Sequence, residues 1–529
     1  MQDADVRTGI LTRRQLGVVA LGGVAVGIGG KGLAQAQNRA IYGHGAVGPV
    51  LPALAPSDGL PRRMPEEEGV SSAAILAFLD DVASKDLELH SFMLARRGSV
   101  IAEGHWWPYA PDRIHITHSL TKSVTACAVA IALGEKRFAL DDKVVSFFPE
   151  HVPADASANL RAMTIRHLLS MTTGHDKETS GSAWRPIKTS WIAEFMKIPV
   201  VHTPGSKFVY TSASSYMLSA IVTKTTGQPM AEYLRPRLFR PLGIEDFEWD
   251  LGPEAINPGG NGLSWKTADS LKLGMLHAQG GRWQGRQILP RAFVAAATRK
   301  QVPDGKYGYH WWMGEGSAYY ALGLFTQLSI VFPEQETTLA VFGAIDGSSK
   351  LLPTIWKHFP AALGPRPIAQ SAATVALKRR AADLRLLPPL AATTSPIAAR
   401  GSRRRFVAAA NDQGVGGFLF DFAPDRVRFA LRDERGEHWI TAGLSQWLEQ
   451  STSMTGNRLH HEYQPPAMRV IAGARWEDAR TLKMTWQFVE TAFRDTVLCR
   501  FDGDTVTLDR SVNLNSRETK LPTLTGRPI

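Results

Sequence analysis

The sequence predicts an α+β protein: an antiparallel sheet flanked by helices, followed by a domain of antiparallel strands alone, a barrel or a sandwich. Three observations carry this reading. Between about Pro65 and Gly364, strand text stands at the two ends of the segment and helix text lies between. From 406 to 529, apolar and polar residues alternate with period two. The chain has 529 residues, 44% hydrophobic and 21% charged, which is ordinary globular composition and room for about two to four domains.

The N-terminus reads as an address. The paired bases Arg13 and Arg14 precede an apolar, glycine-rich run over 17–30, then Lys31 and a small-x-small site at Ala34-Gln35-Ala36. This pattern predicts a twin-arginine signal peptide over 1–36 and delivery to the periplasm. The run is too short to cross a membrane comfortably, and no later window is long enough. No integral membrane segment is therefore expected after cleavage. Residues 37–65, rich in Gly, Pro and Ala, read as an extended lead-in to a domain over 66–364.

Within that domain, Ile75, Phe78, Leu79 and Val82 recur on one face of a predicted helix over 72–83. Strands over 91–95 and 99–104 are joined by a turn at Arg96-Arg97-Gly98. Helices are expected around 119–134, 164–171, 213–226 and 229–238, and strands return at 309–313, 328–332 and 338–342. Pro365, Pro367, Pro388, Pro389 and Pro396 mark 365–405 as a linker, part helical and of low burial, with Arg403-Arg404-Arg405 a solvated face. In the C-terminal β-domain, Val427, Phe429 and Leu431 alternate with arginines, and Leu482, Met484, Trp486 and Phe488 with polar residues. Gly503, between two aspartates, marks a hairpin turn.

Charge and composition exclude several functions. The formal charge is +11, but the bases are dispersed and no basic–aromatic motif accompanies them, so no nucleic-acid partner is expected. The two cysteines, Cys127 and Cys499, cannot form a cysteine-rich metal or cluster site. His460 and His461 read as neighbours on a strand, facing opposite sides and unable to chelate together. No phosphate loop, dinucleotide fingerprint, zincin motif or Gly-x-Ser-x-Gly elbow occurs. No cofactor and no metal is implied.

The chemistry concentrates in three motifs. Ser119-Leu120-Thr121-Lys122 opens a helix of small apolar residues, and i,i+3 spacing brings the hydroxyl and the amine onto one face. A serine needs a base to become a nucleophile, and a lysine serves as that base only when its pKa is depressed by desolvation. Tyr210-Thr211-Ser212 supplies a phenol able to move a proton and a second hydroxyl. Gly323, ahead of the apolar strand over 328–332, allows close approach of a substrate backbone. The N–H groups of Ser119 and Leu324 would make a two-donor oxyanion hole. Trp106, Trp107 and Tyr109, with Trp311 and Trp312, are candidates for the wall of a substrate cleft.

Taken in this order, the motifs resemble those of the serine β-lactamase and penicillin-binding-protein superfamily, in its class C-like branch of esterases, D-aminopeptidases and amide hydrolases. The resemblance covers about residues 65–350. It includes Pro241-Leu242-Gly243-Ile244 and the aromatic text from Tyr307 to Trp312. It implies a β-lactamase/transpeptidase-like domain and an acyl-enzyme formed on Ser119, with Lys122 and Tyr210 sharing the proton transfers. It also implies a small-molecule or short-peptide substrate cut at an amide or peptide bond. A carboxylesterase, a β-lactamase and a non-catalytic penicillin-binding-like sensor or scaffold are the alternatives. Two positions depart from the family pattern. Ser212 stands where Asn is usual, and Ala321 stands where a Lys or His usually helps to hold a substrate carboxylate. Unless an Arg or Lys from another loop takes that role, carboxylate-bearing β-lactams should be poor substrates.

Overall fold

The computed structural model describes residues 46–302, 305–399 and 403–529. The expected leader, 1–36, and most of the lead-in before β1 (Val47–Pro49) lie outside these residues.

Helix α1 (Ser72–Ser84) starts where the Ser71 hydroxyl accepts a bond from the Ala73 N–H, and it buries Ile75, Phe78, Leu79 and Val82. The hairpin β2 (Leu89–Arg96) and β3 (Ser99–His105) turns through Arg97 and Gly98, both left-handed at φ 46° and 85°. The chain then leaves the sheet for a helical layer. Helix α2 (Thr121–Gly134) is buried along almost its whole length, which its Ala, Val and Thr side chains permit. Helix α3 (Ser212–Thr226) packs beside it, and α4 (Thr267–Ala278) lies against the sheet, where Ser329 Oγ donates to the Ser270 carbonyl at 2.8 Å.

The chain returns through β4 (Trp312–Met313), β5 (Tyr319–Gly323), β6 (Gln327–Phe332) and β7 (Thr337–Gly343). The sheet order is β3-β2-β7-β6-β5-β4, antiparallel throughout. Helices thus sit between the first and last strands of one antiparallel sheet, as expected.

The Pro-rich segment after this domain is not a free tether. It forms the helix α5 (Ala372–Ala382), and Leu377 and Leu384 join the core made by α1 and the sheet. Leu387 packs with Trp447, Ile471 and Val489 of the C-terminal domain. The few leucines decide the burial, although prolines and arginines outnumber them in the text.

The C-terminal domain is a closed barrel. Its strands are β8 (Arg403–Ala408), β9 (Gly417–Phe422), β10 (Arg426–Asp433), β11 (Gly436–Gly443), β12 (Leu448–Thr452), β13 (Met468–Trp476), β14 (Thr481–Phe488), β15 (Arg494–Asp502), β16 (Thr505–Val512) and β17 (Leu524–Pro528). The ring runs β13-β11-β10-β9-β8-β17-β16-β15-β14 and closes by β14–β13 pairing. β12 pairs with β13 and, on its other edge, with β1. Gly503 turns β15 into β16 at φ 56°. Phe420, Val427, Phe429, Met484, Trp486 and Phe501 fill the interior.

The barrel docks on the segment that leads into α2. Tyr109 donates to the Thr491 carbonyl at 2.7 Å and accepts from Gln487 at 2.8 Å. Arg113 grips Glu449 through two bonds of 2.7 and 2.8 Å, and the Ile116 N–H donates to the Glu490 carbonyl. Phe325, just beyond β5, enters the barrel's own core cluster beside Phe493.

Candidate active site

The site begins at the N-terminal end of α2. Ser119 lies in the 3-10 turn His118–Leu120 that leads into the helix, and His118 takes a left-handed φ of 48°. One turn on, Lys122 Nζ donates to Ser119 Oγ at 3.1 Å, to Ser212 Oγ at 3.0 Å and to the Gly260 carbonyl at 2.9 Å. All three acceptors are neutral. Burial therefore lowers the pKa of this amine to about 8, against which the exposed Glu178 carboxylate pulls weakly upward. The Tyr210 ring lies 4.8 Å from Lys122 Nζ, and the Ser119 side chain works against burial in favouring the ionised phenol. Burial raises the Tyr210 phenol well above its ordinary range, so at neutral pH it holds its proton.

Ser212 is placed by the start of α3. The Thr211 hydroxyl caps the helix by accepting from the Ala213 N–H, and the Ser212 N–H donates to Glu178 at 3.0 Å. Ser212 therefore serves as an acceptor for the lysine. Gly323 ends β5 against the backbone of the segment before Ser119. A Cβ there would stand 2.1 Å from the Thr117 carbonyl oxygen, so only glycine lets the strand come this close. The next residue, Leu324, lines the same cavity as Ser119.

Of the residues expected at the site, Ser119, Lys122, Tyr210, Ser212, Gly323 and Leu324 thus meet around one point. The tryptophans do not. Trp106 packs on Phe92 in the sheet core, and Trp107 meets Trp447 of the barrel. Tyr109 is sealed in the domain interface, and Trp311 is fully buried in the helical core. Their proximity to Ser119 in sequence is not proximity to its hydroxyl, because the chain from 106 to 118 runs along the docked barrel. Trp312 stands behind Tyr210, stacked at 5.4 Å, and orients the phenol without lining either cleft cavity.

The aromatic wall lies elsewhere. A cavity of about 940 Å³ is bounded by Trp184, Trp191, Tyr216, Leu251, Pro258 and, from the barrel, Tyr463. It shares Arg185, Ser212, Asn261 and Tyr463 with a smaller cavity of about 190 Å³ that reaches Ser119. The barrel closes this smaller cavity with His460, His461, Thr491, Phe493 and Ser516. His460 and His461 are not on a strand. They end the 3-10 turn Asn457–His460 between β12 and β13, and His461 takes φ 56°. His460 Nε2 bonds Asp495 at 2.7 Å, and both histidines line the smaller cavity. No group of metal-binding side chains is found among the described residues. Nothing short-range in the sequence announced Arg185 or this barrel turn. The Gly-rich turn at Pro258-Gly259-Gly260, which supplies the carbonyl facing Lys122, was a readable signal without an assigned role.

Residues 80–356 match the model of the Beta-lactamase family. The chain belongs to that family. Among curated Beta-lactamase-like relatives, esterase EstB of Burkholderia gladioli is 29% identical over 173 residues, covering 30% of this chain and 44% of the esterase. The 6-aminohexanoate-dimer hydrolase of Paenarthrobacter ureafaciens is 23% identical over 304 residues, covering 52% of this chain and 77% of that enzyme. The chain thus spans less than half of the first relative's length and about three quarters of the second's. A solved octameric penicillin-binding protein homologue from Pyrococcus abyssi aligns with 86% of this chain and 99% of its own, at 14% identity and a TM-score of 0.45. The relatives named thus include an esterase, a 6-aminohexanoate-dimer hydrolase and a penicillin-binding protein.

Proposed function

We propose that this Beta-lactamase family chain is a serine hydrolase that cuts an amide or peptide bond of a small substrate through an acyl-enzyme on Ser119. The observation that carries the reading is a buried lysine that makes no ion pair among the described residues, 3.1 Å from a serine hydroxyl. With a pKa of about 8, a useful fraction of Lys122 is neutral near physiological pH and can take the Ser119 proton as the oxygen attacks. Tyr210 keeps its own proton and is placed to deliver it to the leaving group. Lys122 is then the base, and Tyr210 the acid, of acylation. The N–H groups of Ser119 and Leu324 are the candidate donors to the oxyanion. Water would reverse the sequence and release the acid.

The large aromatic cavity supports a substrate with a bulky apolar portion, such as a short linear peptide or oligoamide. Ester substrates follow from the same chemistry, and EstB, an esterase, is among the relatives. The polar Ser119–Lys122–Tyr210 constellation, with its lysine buried, disfavours a purely non-catalytic sensor. A twin-arginine leader would place the enzyme in the periplasm. The test is labelling by a fluorophosphonate probe. Wild-type protein should be labelled on Ser119, as located by peptide mapping, and hydrolyse a p-nitrophenyl acyl ester. Absence of both sinks the reading.

A further inference from the structure

Arg185 stands where the two cavities join, on the turn after Gly181–Trp184. It is held from the barrel side. Its Nη1 donates to the His461 carbonyl, and its guanidinium lies 5.8 Å from the Tyr463 ring centre. Arg185 is only partly exposed, and a guanidinium so placed is ordinarily matched by a carboxylate. Among the described residues, Arg185 has no carboxylate within 4 Å; Asp250 and Glu462 act on it only from further off. The small cavity that it shares with Ser119 has no Asp or Glu in its lining. His118 also lines this cavity, and its buried Nε2 has no hydrogen-bond partner among the described residues. The walls therefore offer a positive charge and unspent hydrogen-bonding capacity, with no carboxylate in the small cavity's own lining to answer them.

Building on the hydrolase reading above, we propose that the small cavity is a carboxylate pocket in which Arg185 holds a carboxylate of the substrate close to the scissile bond. Arg185 then does from a different loop what Ala321 cannot do. The forked guanidinium suits a planar carboxylate, while the rest of the substrate extends into the aromatic cavity. The substrate class becomes an N-acylated amino acid, a peptide cut near its free C-terminus, or an oligoamide with a terminal acid.

The test separates binding from turnover. In Ser119→Ala protein, calorimetric titration with N-benzoylglycine and with its neutral amide reads the pocket without catalysis. The acid should bind at least about tenfold more tightly than the amide, the least that a charge-assisted bond contributes. Adding Arg185→Gln should remove that difference, and Arg185→Lys should keep part of it. In wild-type protein, kcat/KM for an ester substrate bearing a carboxylate should exceed that for its carboxamide twin. Arg185→Gln should lower the first about tenfold to a hundredfold more than the second. Equal binding of acid and amide, or an equal fall in both kcat/KM values, overturns the carboxylate pocket. The calorimetry still reports on the pocket if Ser119 proves inert to the probe, so failure of the hydrolase reading is distinguishable from failure of this one.

Discussion

Lys122 and Asp495 are both removed from water, one in each domain, and they have opposite surroundings. Lys122 meets a hydroxyl from Ser119, a hydroxyl from Ser212 and a carbonyl, all neutral. Asp495 is clasped by His460 at 2.7 Å and by Arg510, whose Nε lies 2.7 Å away. Burial pushes the lysine toward its neutral form, whereas the contacts with His460 and the Arg510 guanidinium overcome burial and hold the aspartate below the usual carboxylate range. The difference teaches how to sort buried charges in this protein. A charge matched by its fold is structural, and an unmatched one is held ready for chemistry. The Asp495 cluster fixes the turn that carries His461, and His461 in turn holds Arg185, so the structural cluster supports the reactive side at one remove.

The comparison is first tested at the candidate nucleophile. Ser119→Ala should lower hydrolysis by at least about 10⁴-fold, on the scale of nucleophile removal in other serine hydrolases. It should also abolish probe labelling and leave Tm nearly unchanged. Residual activity within about tenfold of wild type would move the chemistry elsewhere.

Lys122→Met and Asp495→Ala should then fail in different ways. The first should cost about 10³-fold in activity without loss of thermal stability, since it removes an unmatched buried charge. The second should cost about 3–5 kcal/mol of stability by stranding Arg510 and His460, while Ser119 still reacts with the probe in the folded fraction. Equal destabilisation by the two substitutions in denaturant titrations would erase the distinction between them.

Gly323→Ala should be milder in kind and narrower in reach. The new methyl must displace the Thr117 carbonyl, and with it the Ser119 turn, by a fraction of an ångström or more. About a tenfold to hundredfold fall in kcat is expected, with the barrel and its docking unaffected by circular dichroism. Wild-type rates from this variant would mean that β5 does not set the position of Ser119.

The smallest effect is in pH. Because Lys122 must be neutral to accept a proton, kcat/KM should climb toward pH 8 and level off above it. Stability carries the same signature with a definite sign. The folded pKa of about 8 lies below the ordinary 10.5, so the charged lysine is disfavoured in the fold. That cost, about 3 kcal/mol, is fully present below pH 8 and is relieved as pH rises to 10.5. Lys122→Met should flatten this part of the stability profile, and an unchanged profile in the variant would assign the effect to another group.

Much of this molecule was legible from local pattern. The period-two alternation of 427–431 and 482–488 specified strands because each must hide one face, and those apolar residues do fill the barrel. Ser119 and Lys122 meet because i,i+3 geometry is built into the helix, whatever surrounds it. Trp106 and Trp107 misled for the complementary reason: adjacency along an extended segment says nothing about direction, and the barrel claimed that side. The linker is part helical and mostly exposed, and a few buried leucines tie it to both domains.

The sequence by itself determined the two-part architecture, the antiparallel sheet with its inserted helices, and the Ser-x-x-Lys and Tyr-x-Ser motifs, since all of these rest on spacings that span a turn of helix or a pair of strand residues. Only the tertiary structure decided what closes the site. Arg185 and His461 are separated by 276 residues, and Tyr109 and Thr491 by 382. Contacts across such distances leave no periodicity to read, because they arise from two separately folded surfaces whose fit depends on every strand and turn between them.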